Sequence, residues 1–106
     1  MTHELLVLRH AKSAWDTGAR TDFERPLSKR GLRDAPRMGR FLADEDLVPD
    51  HVVSSPAERA LVTAEKCCKV MGLASADVVF DALLYLAGAE RLQAILQELD
   101  VSAGRV

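Results

Sequence analysis

Arg9 and His10 directly follow the apolar run Leu5-Leu6-Val7-Leu8, and about fifty residues later Arg59 follows Val52-Val53-Ser54 and the turn residues Ser55-Pro56. An imidazole that is neutral near pH 7 can act as a nucleophile. A guanidinium keeps its charge and can give two hydrogen bonds to one phosphoryl group. Two parallel strands ending at the same edge of a sheet would bring Arg9, His10 and Arg59 into one cationic pocket, at the edge where α/β proteins bind ligands. The first-turn amides after Ser55 would add the anion-binding end of a helix. These residue types at these positions point to the handling of a phosphoryl group.

The elements that must position them follow from the apolar periodicity. Glu4 to Arg9 reads as a central strand covered on both faces. The polar stretch from His10 to Pro26 is a long loop, of a length that is usually functional or disordered. Ser28 is the N-cap of a helix running to about Asp44, with Leu32, Ala35, Met38, Phe41 and Leu42 as its buried stripe. Pro36 predicts a kink in that helix rather than two helices. His51 to Ser54 is a second strand. Ser55 as N-cap, Pro56 at the first helical position and Glu58 completing a capping box start the next helix. Its inner face carries Ala57, Ala60, Leu61, Ala64, Cys67, Cys68 and Met71, and Gly72 ends it. Asp77 to Phe80 is a third strand, Asp81 to Gly88 a connection, and Ala89 to Leu99 a third helix with Leu92, Ile95, Leu96 and Leu99 inward. Strands alternating with helices imply an α/β fold with a parallel sheet and right-handed crossovers.

The chain of 106 residues makes a single domain, residues 1–106, with one hydrophobic core. Its apolar and charged fractions of 48% and 28% are those of an ordinary globular protein. A net charge of −2 gives no bulk electrostatic reason to bind nucleic acid or an anionic membrane. Positive charge is local instead, around Arg9, Lys12, Arg20, Arg25, Lys29 and Arg30. Cys67 and Cys68 are neighbours, so a disulfide between them would be badly strained, and they read as buried helical thiols. No signal peptide and no membrane span are visible, so a reducing cytoplasm is the expected compartment.

Several segments in order resemble the histidine phosphatase superfamily: Leu8-Arg9-His10-Ala11-Lys12-Ser13, Trp15-Asp16, Arg25-Pro26-Leu27-Ser28 with Arg30-Gly31, and Val53-Ser54-Ser55-Pro56-Ala57-Glu58-Arg59-Ala60 with Thr63-Ala64-Glu65. Within it they are most similar to the small SixA-like phosphohistidine phosphatases. The resemblance runs through essentially the whole chain. It implies a three-layer α/β/α, phosphoglycerate mutase-like fold with a mostly parallel sheet, and a phosphatase that needs neither metal nor other cofactor. It makes His10 the nucleophile and Arg9 and Arg59 the ligands of the equatorial phosphoryl oxygens. Lys12, Ser13 and Arg25 are further candidates to touch phosphate or substrate, and Trp15 reads as loop packing. Asp16 is the first candidate for the acid that protonates the leaving group, with Asp22, Glu24 and Glu90 behind it; Glu90 also looks like a helix-start charge favoured by the dipole. Taken singly, each residue has a plainer role as a structural histidine, an exposed helical charge or a solvated loop carboxylate.

Members of the superfamily carry a second histidine after a later strand, and these 106 residues contain none in that place. His3 precedes the first strand and His51 the second, both at the wrong end. The chain therefore resembles the first two thirds of a SixA-like protein, a fold incomplete at its C-terminus, with an unpaired sheet edge that favours self-association. The expected substrate is a phosphohistidine-containing protein or a small phosphorylated molecule. Two further readings stand beside the enzyme: a non-catalytic phosphate or phosphopeptide binder that retains Arg9 and Arg59, and an assembly module that pairs through the sheet edge.

Overall fold

The computed structural model describes residues 3–15, 17–99 and 104–106. Helix α1 spans Lys29–Asp44 and runs through Pro36 as one helix. Ser28 caps it as expected, its hydroxyl accepting from the Gly31 amide at 3.1 Å. The face it buries differs from the expected stripe. Gly31, Ala35 and Gly39 are buried, Leu42 is half-buried, and Leu32, Met38 and Phe41 stay exposed. The reason is how closely the backbones approach. A methyl group on Gly39 would stand 2.3 Å from the Cys67 carbonyl oxygen, and one on Gly31 would stand 2.2 Å from the Lys12 carbonyl oxygen. The smallest residues, spaced four apart, therefore face the protein, and the large apolar ones are turned aside.

Strands β1 (Val52–Ser54) and β2 (Val78–Phe80) pair in parallel, Val52 opposite Val78 and Ser54 opposite Phe80. Helix α2 (Glu58–Val70) connects them. It starts later than its sequence suggests. Ala57 is the N-cap, in extended conformation and without a side-chain cap. The Ser55 hydroxyl accepts from the Ala57 amide at 3.2 Å, and the Glu58 amide donates instead to the Phe23 carbonyl of the long loop. The predicted capping box is thus replaced by a serine turn followed by a tertiary hydrogen bond. The other end follows expectation: Gly72 has φ +83°, and the Leu73 and Gly72 amides return to the carbonyls of Cys68 and Lys69, the Schellman pattern. Ala64, Cys68 and Val78 form the buried cluster, with Val52, Met71 and Leu73 against it. Two single turns of 3-10 helix flank β2, and α3 spans Ala89–Gln97 with Ile95 buried.

The segment expected to be the central strand is not one. Only Glu4 forms a bridge, parallel to Arg105. Leu5, Val7 and Leu8 are 50%, 76% and 45% exposed. A cavity of about 400 Å³ lies beside residues 5–10; Val53, Ala64, Cys68, Ile95 and Leu96 are among its other walls. At one end residues 104–106 stand between the two sides. Arg105 bridges Glu4, and its carbonyl accepts from the amides of Asp50 and His51. Among the described residues the backbone of this run pairs through Glu4 and Leu6, with Gly104 and Val106, and the rest of the run borders the cavity.

Candidate active site

The long loop leaves His10 and returns to α1 through a closed neck. The Ala14 amide donates to the Pro26 carbonyl at 2.9 Å, Ser13 and Leu27 form an antiparallel bridge, and both the amide and hydroxyl of Ser28 donate to the Lys12 carbonyl. Gly31 makes room for that carbonyl. One residue, Ser28, thus caps a helix and ties down the segment that follows the candidate nucleophile.

His10 is half-buried, and its Nδ1 lies 2.8 Å from the Ala11 carbonyl oxygen. A carbonyl can only accept, so Nδ1 carries the proton. In the neutral ring that leaves the lone pair on Nε2. The Ala11 amide donates to Thr63 Oγ1 at 3.1 Å, and the Thr63 hydroxyl donates to the Arg59 carbonyl at 2.7 Å. Thr63 thereby joins the residue after His10 to the turn of α2 that carries Arg59. In the sequence Thr63 belongs to a segment resembling the superfamily, with no local signal of this linking role.

Arg59 is 7% exposed, unlike the exposed helical charge that would be its plainer role. Its NH1 donates to the Asp22 carbonyl at 2.7 Å and its NH2 to Asp22 Oδ2 at 3.0 Å. Asp22 also accepts from the Tyr85 hydroxyl at 2.7 Å and from Arg25 NH2 at 3.2 Å. The Tyr85 hydrogen bond, with those of Arg25 and Arg59, holds the Asp22 carboxyl below its ordinary value of 3.8. The same bond raises the Tyr85 phenol above 10.0. Tyr85 packs edge-on against Phe23 with ring centroids 5.0 Å apart. The only tyrosine of the chain lies 63 positions from the aspartate it meets, and no local pattern announced it.

Arg25 donates from NH1 to the Ser13 hydroxyl and stacks over Trp15, 3.9 Å from the ring centroid. Trp15, expected to pack within the loop, is 69% exposed and meets Arg25 through one face of its ring. Ser13 is 9% exposed and committed to Arg25, so its hydroxyl orients a cation rather than standing open to an anion. Lys12 contributes its carbonyl to the loop neck, and its side chain is exposed. Arg9 is exposed as well; with His10 and Thr63 it lines one end of the cavity. Glu24 is an exposed loop residue and Glu90 an exposed charge in the first turn of α3. Asp16 lies outside the described residues. No group of three or more acidic, histidine or cysteine residues among the described ones could hold a metal ion, and none of the described helices is long and apolar enough to cross a membrane.

Residues 5–84 match the model of the histidine phosphatase superfamily, branch 1. A candidate phosphohistidine phosphatase SixA from Agrobacterium tumefaciens superposes with a TM-score of 0.83 at 28% identity, covering 96% of this chain and 63% of the other. The protein histidine phosphatase SixA complexed with tungstate gives 0.83 at 26% identity, covering 96% and 65%. A 2,3-bisphosphoglycerate-dependent phosphoglycerate mutase of Bifidobacterium longum is 39% identical over 66 residues, 60% of this chain and 27% of that enzyme. The chain thus spans less than two thirds of each of these relatives. With residues 5–84 matching its model, the chain belongs to the histidine phosphatase superfamily, branch 1.

Proposed function

We propose that this chain carries the nucleophilic half of a phosphohistidine phosphatase site and acts on a phosphohistidine-containing protein. The observation that carries this reading is the hydrogen bond of His10 Nδ1 to the Ala11 carbonyl, which leaves Nε2 as the lone-pair nitrogen. Nε2 attacks phosphorus, the bond from phosphorus to the leaving nitrogen breaks, and a carboxylic acid returns a proton to that nitrogen. Water then attacks the phosphohistidine, releasing inorganic phosphate and restoring His10. Arg9, Arg25 and Arg59 stabilise the equatorial oxygens, where negative charge is spread in a loose, in-line transition state. Loss of one such guanidinium costs on the order of 3 kcal/mol of transition-state stabilisation, by analogy with an oxyanion-hole donor. Asp16 is the first candidate for the acid. No step invokes a metal or an organic cofactor.

The SixA relatives support a phosphoprotein substrate by their names, and the match to a mutase favours a second reading, a phosphatase for small phosphate esters. Incubation with a radiolabelled phosphohistidine protein and with p-nitrophenyl phosphate separates the two. The expected result is faster release from the phosphoprotein, an acid-labile phosphoryl group on the chain, and loss of both in His10→Ala. Absence of hydrolysis and of acid-labile labelling with either substrate overturns the enzyme reading. Binding of phosphate without turnover would then identify a non-catalytic phosphate binder.

A further inference from the structure

Asp22 is the hub of a donor set built for an anion. Its Oδ2 accepts from Arg59 NH2 and from the Tyr85 hydroxyl, and its Oδ1 accepts from Arg25 NH2. Two guanidinium groups and a phenol converging on two carboxylate oxygens are the groups a phosphoryl oxyanion would seek. The partners differ in burial. The Arg59 side chain is 8% exposed and that of Asp22 is 47% exposed. The guanidinium is therefore held in place, whereas the carboxylate sits at the rim and can turn to water.

The backbone favours a side-chain swing over an opening of the loop. The Phe23 carbonyl accepts from the Glu58 amide, and the Asp22 carbonyl accepts from Arg59 NH1. Both bonds survive rotation of the Asp22 side chain. Arg59 would keep its NH1 bond to the backbone, which fixes its plane, while NH2 changes partner.

We propose that Asp22 is a tethered anion masking the phosphoryl cradle, and that an incoming phosphoryl group displaces its carboxylate and takes Arg59, Arg25 and the Tyr85 hydroxyl as ligands. This rests on the phosphate-binding reading of Arg59 and adds Tyr85 as a substrate-contacting residue. The mask keeps two buried or half-buried cations neutralised between turnovers, and it sets a threshold that weak anions do not pass. A dianionic phosphoryl group, with more charge and more acceptor oxygens than one carboxylate, wins the exchange.

The test is titration calorimetry of tungstate against the whole chain, Asp22→Asn, Tyr85→Phe and Arg59→Gln. Asp22→Asn removes the competing charge and keeps a similar shape, so it is expected to bind tungstate about fivefold tighter, as for loss of one exposed ion pair. Tyr85→Phe, which loses a ligand, binds more weakly than Asp22→Asn. Equal or weaker binding by Asp22→Asn, with binding still lost in Arg59→Gln, overturns the mask alone and makes Asp22 a positioning residue. Unchanged binding by Arg59→Gln, or no binding by the parent chain, refutes the phosphate-binding reading and the mask with it. The unmodified chain gives a readout that needs no variant to fold. At neutral pH the Asp22 carboxyl resonance is expected to shift on tungstate binding as the carboxylate leaves Arg59 and Tyr85, and an unmoved resonance rules out the swing.

Discussion

The Ala11 amide donates to Thr63 Oγ1 across 3.1 Å, so the residue after His10 hangs from the helix that carries Arg59. Thr63 is 4% exposed, and its hydroxyl donates a hydrogen bond to the Arg59 carbonyl. Candidate nucleophile and candidate phosphate ligand, far apart in sequence, are held through one hydroxyl. That contact stiffens the base of the loop on the side where His10 Nδ1 is pinned to the Ala11 carbonyl.

Thr63→Val keeps the shape of the side chain and leaves the half-buried Ala11 amide without its acceptor. Stability is expected to fall by about 1 kcal/mol, the net worth of one hydrogen bond, as read by urea denaturation. If the site turns over as proposed, kcat falls roughly ten- to a hundredfold because the nucleophile loses its placement. Thr63→Ser retains the hydroxyl and restores most of both. A Thr63→Val protein with unchanged stability and turnover would show that the contact positions nothing.

Gly39 faces the Cys67 carbonyl and Gly31 faces the Lys12 carbonyl, and each approach leaves no space for a methyl group. Gly39→Ala forces α1 away from α2 and is expected to cost about 1–3 kcal/mol, the range for overpacking a close-packed contact. Gly31→Ala displaces the backbone of the loop neck as well. It should therefore lower stability and weaken tungstate binding together, whereas Gly39→Ala lowers stability with less effect on binding. Thermal denaturation and calorimetry on the two variants separate these outcomes.

These glycines also show where the sequence stops being legible. The limits of α1, the parallel pair β1 and β2 and the Gly72 cap follow from local chemistry and periodicity, because a cap or an apolar run is decided within a few residues. The buried face of α1 does not. A pattern ranks Leu32, Met38 and Phe41 as inward because they are large, but the distance between α1 and its neighbours admits only Gly31, Ala35 and Gly39. The start of α2 lies later than its local signals place it for a similar reason, since the Glu58 amide takes its partner from Phe23, more than thirty positions upstream. The Asp22–Tyr85 contact is longer still in range. Leu5 to Leu8 read as a central strand because the run is apolar, yet a run makes a strand only where a neighbour offers hydrogen bonds, and among the described residues those bonds are made by Glu4 and Leu6 with Gly104 and Val106.

Cys67 and Cys68 test the packing between the helices. Both are about 98–99% buried, and burial, with the neighbouring Cys68 adding to it, pushes the Cys67 thiol up to about 11. At pH 8 only about one Cys67 in a thousand is then a thiolate, and the thiolate is the reactive form. Reaction with a thiol reagent such as 5,5′-dithiobis(2-nitrobenzoate) is expected to be at least roughly a hundredfold slower in the native chain than in urea. Gly39→Ala, which loosens the α1 contact at Cys67, should accelerate it. Fast labelling of the native parent would mean that α1 and α2 separate readily.

Acid stability reports on the Asp22 cluster. Its carboxyl is lowered below 3.8 first by the Tyr85 hydroxyl and then by Arg25 and Arg59. A folded-state value below the unfolded one means that the contribution is complete above 3.8 and is lost as pH falls through the lowered folded value. Tyr85 has the opposite sign: its phenol is raised by the hydrogen bond to Asp22, so its contribution stands below 10.0 and is lost as pH rises through the raised value. The melting temperature of the parent chain is therefore expected to hold near neutrality, to drop in acid below 3.8 and to drop again in alkali above 10.0. Tyr85→Phe removes the largest cause of the Asp22 shift and the group that titrates in alkali, so it should flatten both limbs. Asp22→Asn flattens the acid limb and, by removing the partner that raises the phenol, reduces the alkaline one. A parent and variants with superimposable pH profiles would show that the cluster contributes nothing to folding, whatever it does to a bound anion.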